Sequence, residues 1–249
     1  LIWAIDIGNT RTVSGLMRGD RVVRQDATAT DRLRQRASAL AWALRLKRQG
    51  PVEGLVVSSV VPPADKVVRA ALRSRFGILP LFVRPGPSVG LPILYKRPAE
   101  VGADRLMNAL AARELFGAPV VVVDYGTATT FDVVDAKGRY QGGVILPGIG
   151  TSLTALHRYT AKLPAVSFRK VRQAIGRTTQ DAMLSGVYFG AVGQTREILA
   201  AIRREMGREA VAVATGGWCH VFKGAGLFRH IRPDLTLLGM AIHWRSRHG

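Results

Sequence analysis

Two hydrophobic periods divide the chain. Residues 1–7 form an apolar run of strand length that stops at Gly8-Asn9-Thr10, and two further strand-like runs follow at 12–17 and 21–27. Three strands joined by tight turns predict a meander. Over 30–49 leucines and alanines are interleaved with Arg32, Arg34, Arg36, Arg45, Lys47 and Arg48 in a pattern that a helix accommodates. A mostly apolar strand is then predicted at 55–61, stopped by Pro62-Pro63, followed by a helix near 64–76 and a short strand at 81–83. A proline-rich connection, 85–98, leads into a helix over 103–116.

At Pro119 the same order of elements starts again. Strands are predicted at 120–124, 129–134 and around 140–146, helices at 152–161 and 179–206, a strand at 210–214, and a last helix ending near 244. The restart is also visible in the residues. Asp6-Ile7-Gly8-Asn9-Thr10-Arg11-Thr12 and Asp124-Tyr125-Gly126-Thr127-Ala128-Thr129-Thr130 share the frame D-x-G-x-x-x-T, each closing one apolar strand and opening the next. The expectation is an α/β chain of two similar halves, residues 1–117 and 118–249, with the two loops facing a ligand cleft between them.

Composition narrows this picture. Of 249 residues 47% are hydrophobic and 21% charged, a balance that excludes global disorder. The single cysteine, Cys219, cannot close an internal disulfide, which favours a reducing compartment, and the chain reads as cytoplasmic. No apolar run reaches the roughly 18–20 residues of a membrane helix, and the first residues lack the basic leader of a signal peptide. Lys and Arg number 36 against 17 Asp and Glu, a net charge of +19. Charge of that size draws anionic ligands and raises nucleic-acid binding as a class, with the arginine-rich 31–49 segment as its candidate surface. The plainer reading of that segment is a solvated helix face with its apolar side in the core.

The two loops carry the candidate chemistry. Gly8 lets the backbone turn so that N–H groups face a phosphate, with Asn9, Thr10 and Thr12 adding side-chain donors. Asp6 beside such a nest suits Mg²⁺, which takes one or two carboxylates plus phosphate and water oxygens. An ordinary hairpin turn explains the same residues. In the second copy Asp124, Thr127, Thr129 and Thr130 form a hydroxyl-rich mouth fit for phosphates or a monovalent cation, while Asp132 reads as structural. Gly142-Gly143, Pro147-Gly148 and Gly216-Gly217 mark strand ends where backbone can approach a nucleotide. A third constellation is Tyr95-Lys96-Arg97-Pro98 with Gly102-Ala103-Asp104-Arg105. Asp104 at a helix start is either a cap or a base that accepts a hydroxyl proton, with Arg105 binding an anionic group. The five histidines make no metal-ligand spacing, and Walker and Rossmann glycine motifs are absent from the sequence.

Together, and in this order, these motifs resemble type III pantothenate kinases of the actin-like sugar-kinase and chaperone superfamily. The likeness runs on through Thr160-Ala161-Lys162-Leu163-Pro164, Ile175-Gly176-Arg177-Thr178-Thr179 and Ala214-Thr215-Gly216-Gly217. It implies two ribonuclease H-like halves flanking a nucleotide cleft, a homodimer, and ATP-dependent phosphorylation of pantothenate, the first step of coenzyme A synthesis. By the same resemblance Asp104 is the proton acceptor, and Tyr95, Gly102, Ala103, Arg105 and Thr179 contact pantothenate. Asp6, Ile7, Gly8, Asn9, Thr10, Arg11, Thr12 and Val13 form the ATP phosphate loop, with Asp6 near Mg²⁺. Thr127 touches ATP, and Asp124 holds K⁺ or NH₄⁺. Arg11 stands where many relatives carry a small polar residue, and Met240 where leucine is usual. Some relatives were first described as accessory factors for transcription, so a regulatory, nucleic-acid-binding role on the same fold is the alternative.

Overall fold

The apolar run at the N-terminus becomes the central strand of a sheet in the computed structural model, which describes residues 1–248. Strand β1 (Ile2–Ile7) pairs antiparallel with β2 (Arg11–Arg18), and β2 with β3 (Arg21–Ala29). On its other side β1 pairs parallel with β4 (Gly54–Ser59), and β4 with β5 (Leu81–Phe82). The order is β3-β2-β1-β4-β5. One face of this sheet, with Trp3, Ile5, Ile7, Leu55 and Val57, packs on α1 (Arg36–Lys47) and α2 (Pro62–Phe76). Pro62 and Pro63 do not merely stop β4. They open α2, where the N–H that proline lacks has no helical partner to lose.

The second half repeats the plan. Strands β6 (Val120–Tyr125), β7 (Ala128–Val134) and β8 (Tyr140–Pro147) form the meander, and β9 (Val211–Thr215) and β10 (His230–Ile231) add in parallel beside β6. The order β8-β7-β6-β9-β10 is the first sheet's topology again. Helices α4 (Ile149–Arg158) and α5 (Thr179–Met206) belong to this unit, and Tyr188, Leu199 and Ile202 of α5 join the core of Val121, Val123, Tyr125 and Phe131. The duplicated D-x-G-x-x-x-T frames fall at the same place in both sheets, with Asp6 and Asp124 each the penultimate residue of a central strand.

Three expectations are revised. The predicted helix at 30–49 is two pieces, a 3₁₀ turn at Thr30–Arg34 and then α1, separated by the extended backbone of Gln35. Leu33, Ala39, Trp42, Ala43 and Leu46 are buried while the arginines face solvent, Arg45 gripping Asp26 with two bonds of 2.8 and 2.7 Å. Helix α4 begins three residues earlier than predicted, at Ile149, directly after Gly148. Finally, the C-terminal helix α6 (Leu235–His248) runs past residue 244, and the compact units are Leu1–Leu115 together with the segment from Asp234 onward, and Phe116–Pro233. Residues 234–248 thus leave the half to which their position assigned them. The cause is steric: Gly15 on β2 and Gly54 on β4 leave room on the first sheet for Leu237 and for the Trp244 ring. Helical periodicity says that α6 has an apolar face, not which sheet receives it.

Candidate active site

The first loop is clamped from beneath. Gly8 donates its N–H to the Arg11 carbonyl at 3.2 Å, and a Cβ on Gly8 would stand 3.1 Å from that oxygen, a tight fit that favours glycine in the turn. Thr30, just past β3, donates its hydroxyl to the Gly8 carbonyl at 2.7 Å and its N–H to the Thr10 carbonyl at 3.1 Å. A hydroxyl has one proton, so in the buried Thr12–Thr30 contact of 3.0 Å it is Thr12 that donates. This corrects one expectation: Thr12 is fully buried with its proton committed, so it is no side-chain donor to a phosphate, while the Gly8 N–H closes the turn. Ile7 is core, Val13 lies half-buried in β2, and Asn9, Thr10 and Arg11 form the exposed tip. Thr30 carried no motif signal; only the β2–β3 register, Thr12 against Thr28, brings it back under the loop.

Asp6 is half-buried and pairs in register with Ser58 of β4. The Ser58 hydroxyl is buried without a hydrogen-bond partner among the described residues. A carboxylate beside an orphaned hydroxyl at the mouth of a turn fits a hard cation.

The strand that carries Ser58 also joins this loop to Asp104. Val60 donates its N–H to the Ile7 carbonyl at 3.1 Å, and its Cγ1 lies 3.3 Å from where a Cβ of Gly102 would stand. Gly102 in turn lies under the Asp104 carboxylate, whose Oδ1 would collide with any Cβ there. Asp104 is the second residue of α3 (Ala103–Phe116), and its Oδ1 accepts the Arg105 N–H at 2.8 Å. Cap and base are therefore compatible: one oxygen satisfies the helix start. Burial pushes the Asp104 carboxyl above the usual carboxylate range, against the opposing pull of the Arg105 N–H and charge. A raised carboxyl is the better proton acceptor. Ala103 and Arg105 are buried, and Tyr95 is half-buried in the connection before α3. The first loop, Val60, Gly102 and Asp104 all lie within the first unit.

The second loop is built differently from its expectation. Thr129 is buried, and the Thr130 hydroxyl donates to Asp132 at 3.3 Å, so of the threonines named only Thr127 is exposed. Asp132, fully buried, also accepts from the Tyr140 hydroxyl at 2.8 Å, the structural role read for it. The Thr127 carbonyl accepts the Gly148 N–H at 3.1 Å and the Thr151 hydroxyl at 2.6 Å, tying the loop to the start of α4. Asp124 folds its carboxylate against Gly216, at φ +88°, where a Cβ would collide with Oδ1. In register with Asp124 stands Thr215, whose hydroxyl is buried and without a partner among the described residues. The two sheets thus repeat one donor set, Asp6 with Ser58 and Asp124 with Thr215. Thr179 is the exposed first residue of α5, behind the cap Thr178, and lines a cavity of about 740 Å³ between α4 and α5.

Among solved structures, a protein of Campylobacter jejuni assigned to the Baf family of transcriptional activators aligns over 99% of this chain and 98% of its own with a TM-score of 0.65 at 17% identity. A ROK hexokinase from Thermus thermophilus aligns over 100% and 99% with a TM-score of 0.51 at 15% identity. At such identities the likeness shows the fold alone. Sequence relatives say more. The chain is 41% identical to a type III pantothenate kinase of Rhodospirillum rubrum over 99% of both chains, and 39% identical to one of Koribacter versatilis over 98% of this chain and 95% of that one. Residues 2–201 match the family model for type III pantothenate kinase. With the duplicated loops and the Gly102–Arg105 corner in place, the chain belongs to the type III pantothenate kinase family.

Proposed function

We propose that this chain transfers the γ-phosphoryl group of ATP to the primary hydroxyl of pantothenate, the first step of coenzyme A synthesis. The observation that carries the reading is the Asp104 corner: a carboxyl raised by burial, held over Gly102 and joined through Val60 to the turn of the phosphate loop. Asp104 accepts the proton of the substrate hydroxyl as that oxygen bonds to the γ-phosphorus and the bond to the ADP oxygen breaks. Such transfers depend on positioning and electrostatics more than on covalent chemistry. Arg105, charged and buried, binds the substrate's carboxylate, with Tyr95, Gly102, Ala103 and Thr179 as further substrate contacts. The exposed tip Asn9-Thr10-Arg11 and Thr127 bind ATP.

Asp6 with Ser58 fits Mg²⁺, and Asp124 with Thr215 fits K⁺ or NH₄⁺. When bound, these cations offset the charge of the phosphates. A homodimer is proposed too, supported by the strongly exposed Tyr159 and Ile175 of the second unit. No described helix is long and apolar enough to cross a membrane, and a cytoplasmic site is proposed on the single, buried Cys219. The regulatory alternative draws no support: the likeness to a transcriptional activator, at 17% identity, is one of fold.

The test is direct. The chain is incubated with γ-labelled ATP and pantothenate in Na⁺, K⁺ or NH₄⁺ buffer. Label in phosphopantothenate, stimulated by K⁺ or NH₄⁺, is expected; no label under any cation would sink the reading.

A further inference from the structure

Helix α6 touches the helix that carries Asp104 backbone to backbone. Gly239 lies against the Met107 carbonyl so closely that a Cβ would collide with it. Contact between a glycine and a carbonyl is close but not directional, and alone it lets one helix roll against the other. The polar bond beside it does not. Thr236, one turn before Gly239, donates its hydroxyl to Asn108 Oδ1 at 2.8 Å, and Asn108, next to Met107, is fully buried. Asn108 also lies four residues after Asp104, so the two project from one face of α3, one turn apart.

The sheet holds the other side of α6. Leu237 lies 2.7 Å from the Cβ position of Gly15, and the Trp244 ring fills the space that Gly54 leaves open. Helix α6 is therefore seated on β2 and β4 and reaches α3 through Gly239 and Thr236. Strand β4 ends in the Ser58–Val60 segment that touches both the phosphate loop and Gly102. Loop and base are thus referred to the same sheet, the loop through β1 and the base through α6.

We propose that Thr236 and Asn108 are positioning residues for catalysis, fixing the rotation of α3 and with it the direction in which Asp104 presents its carboxylate. The inference rests on Asp104 being the proton acceptor. Side chains end about 5–6 Å from a helix axis, so a roll of about 20° moves the Asp104 carboxylate by about 2 Å, and misplacement by about 1 Å can cost ~100-fold in rate.

The test uses Thr236→Val, which keeps the shape and removes the donor, with Thr236→Ser as the rescue and Thr236→Ala as a second deletion should the valine variant fold poorly. Asp104→Asn is assayed beside them. Rates are normalised to the folded fraction from thermal melts. The expected result is that kcat falls about 10-fold in Thr236→Val and Thr236→Ala, that KM for ATP stays within about 2-fold, and that Thr236→Ser restores kcat. Unchanged kcat per folded molecule, with a lowered melting temperature as the only effect, makes the bond structural and overturns the proposal while leaving an inactive Asp104→Asn to uphold the base. An active Asp104→Asn overturns both.

Discussion

The Asp104 carboxylate lies directly over the Cα of Gly102, with no space between them for a methyl group. Gly102 does not have the positive φ found at the strained turns of this chain. Its lack of a side chain therefore serves the carboxylate, not the backbone. Gly102→Ala should leave folding nearly intact and lower kcat by about 10–100-fold, because the new methyl displaces the carboxylate proposed to accept the proton. Steady-state kinetics beside a thermal melt make the check. A variant with normal kcat would mean that the carboxylate's seat on Gly102 is incidental.

Thr30 reaches the turn at Gly8, the proposed phosphate loop, from 22 residues away. Thr30→Val removes the donor to the half-buried Gly8 carbonyl and leaves the buried Thr12 hydroxyl without its acceptor. Groups left so typically cost about 1–3 kcal/mol. We expect lower stability toward urea and weaker ATP binding together, read by denaturation and by nucleotide titration. Stability loss with unaltered ATP affinity would separate Thr30 from the loop's function.

His243 on α6 is buried, and its Nδ1 has no hydrogen-bond partner among the described residues. Burial first, then the charges of Arg247 and His248, push its pKa below the usual 6.5, against a raising bond with the Val89 backbone. The unfolded chain therefore takes up a proton near pH 6.5 that the folded chain refuses until lower pH. Stability from this group is present above about pH 6.5 and lost as pH falls through the folded pKa, at up to ~1.4 kcal/mol per pH unit. Urea midpoints between pH 7.5 and 5 should fall in the parent and fall less in His243→Leu. Equal slopes would remove His243 as the cause.

Much of this was legible in the chain itself. Strand and helix periods place every major element within a few residues, and the repeated D-x-G-x-x-x-T frame points to two similar halves. What stayed hidden depends on contacts distant in sequence. Nothing near Thr12 says that its hydroxyl is already engaged, since the partner, Thr30, is brought under the loop only by the register of β2 and β3. Helix α6 follows the second sheet in sequence yet packs on the first, because the space it needs is left by glycines about 190–220 residues earlier. The Ser58 and Thr215 hydroxyls beside the two aspartates were likewise invisible, being parallel-strand neighbours contributed by separate segments.

The chemistry assigned to Asp104 is most directly measured by Asp104→Asn in the presence of ATP, pantothenate and K⁺. Asparagine keeps the side-chain oxygen that caps Arg105 and loses the capacity to take a proton at neutral pH. The expected outcome is a melting temperature and ATP affinity close to the parent's, with kcat lower by about 100-fold or more. Phosphopantothenate formed at an undiminished rate would contradict the account.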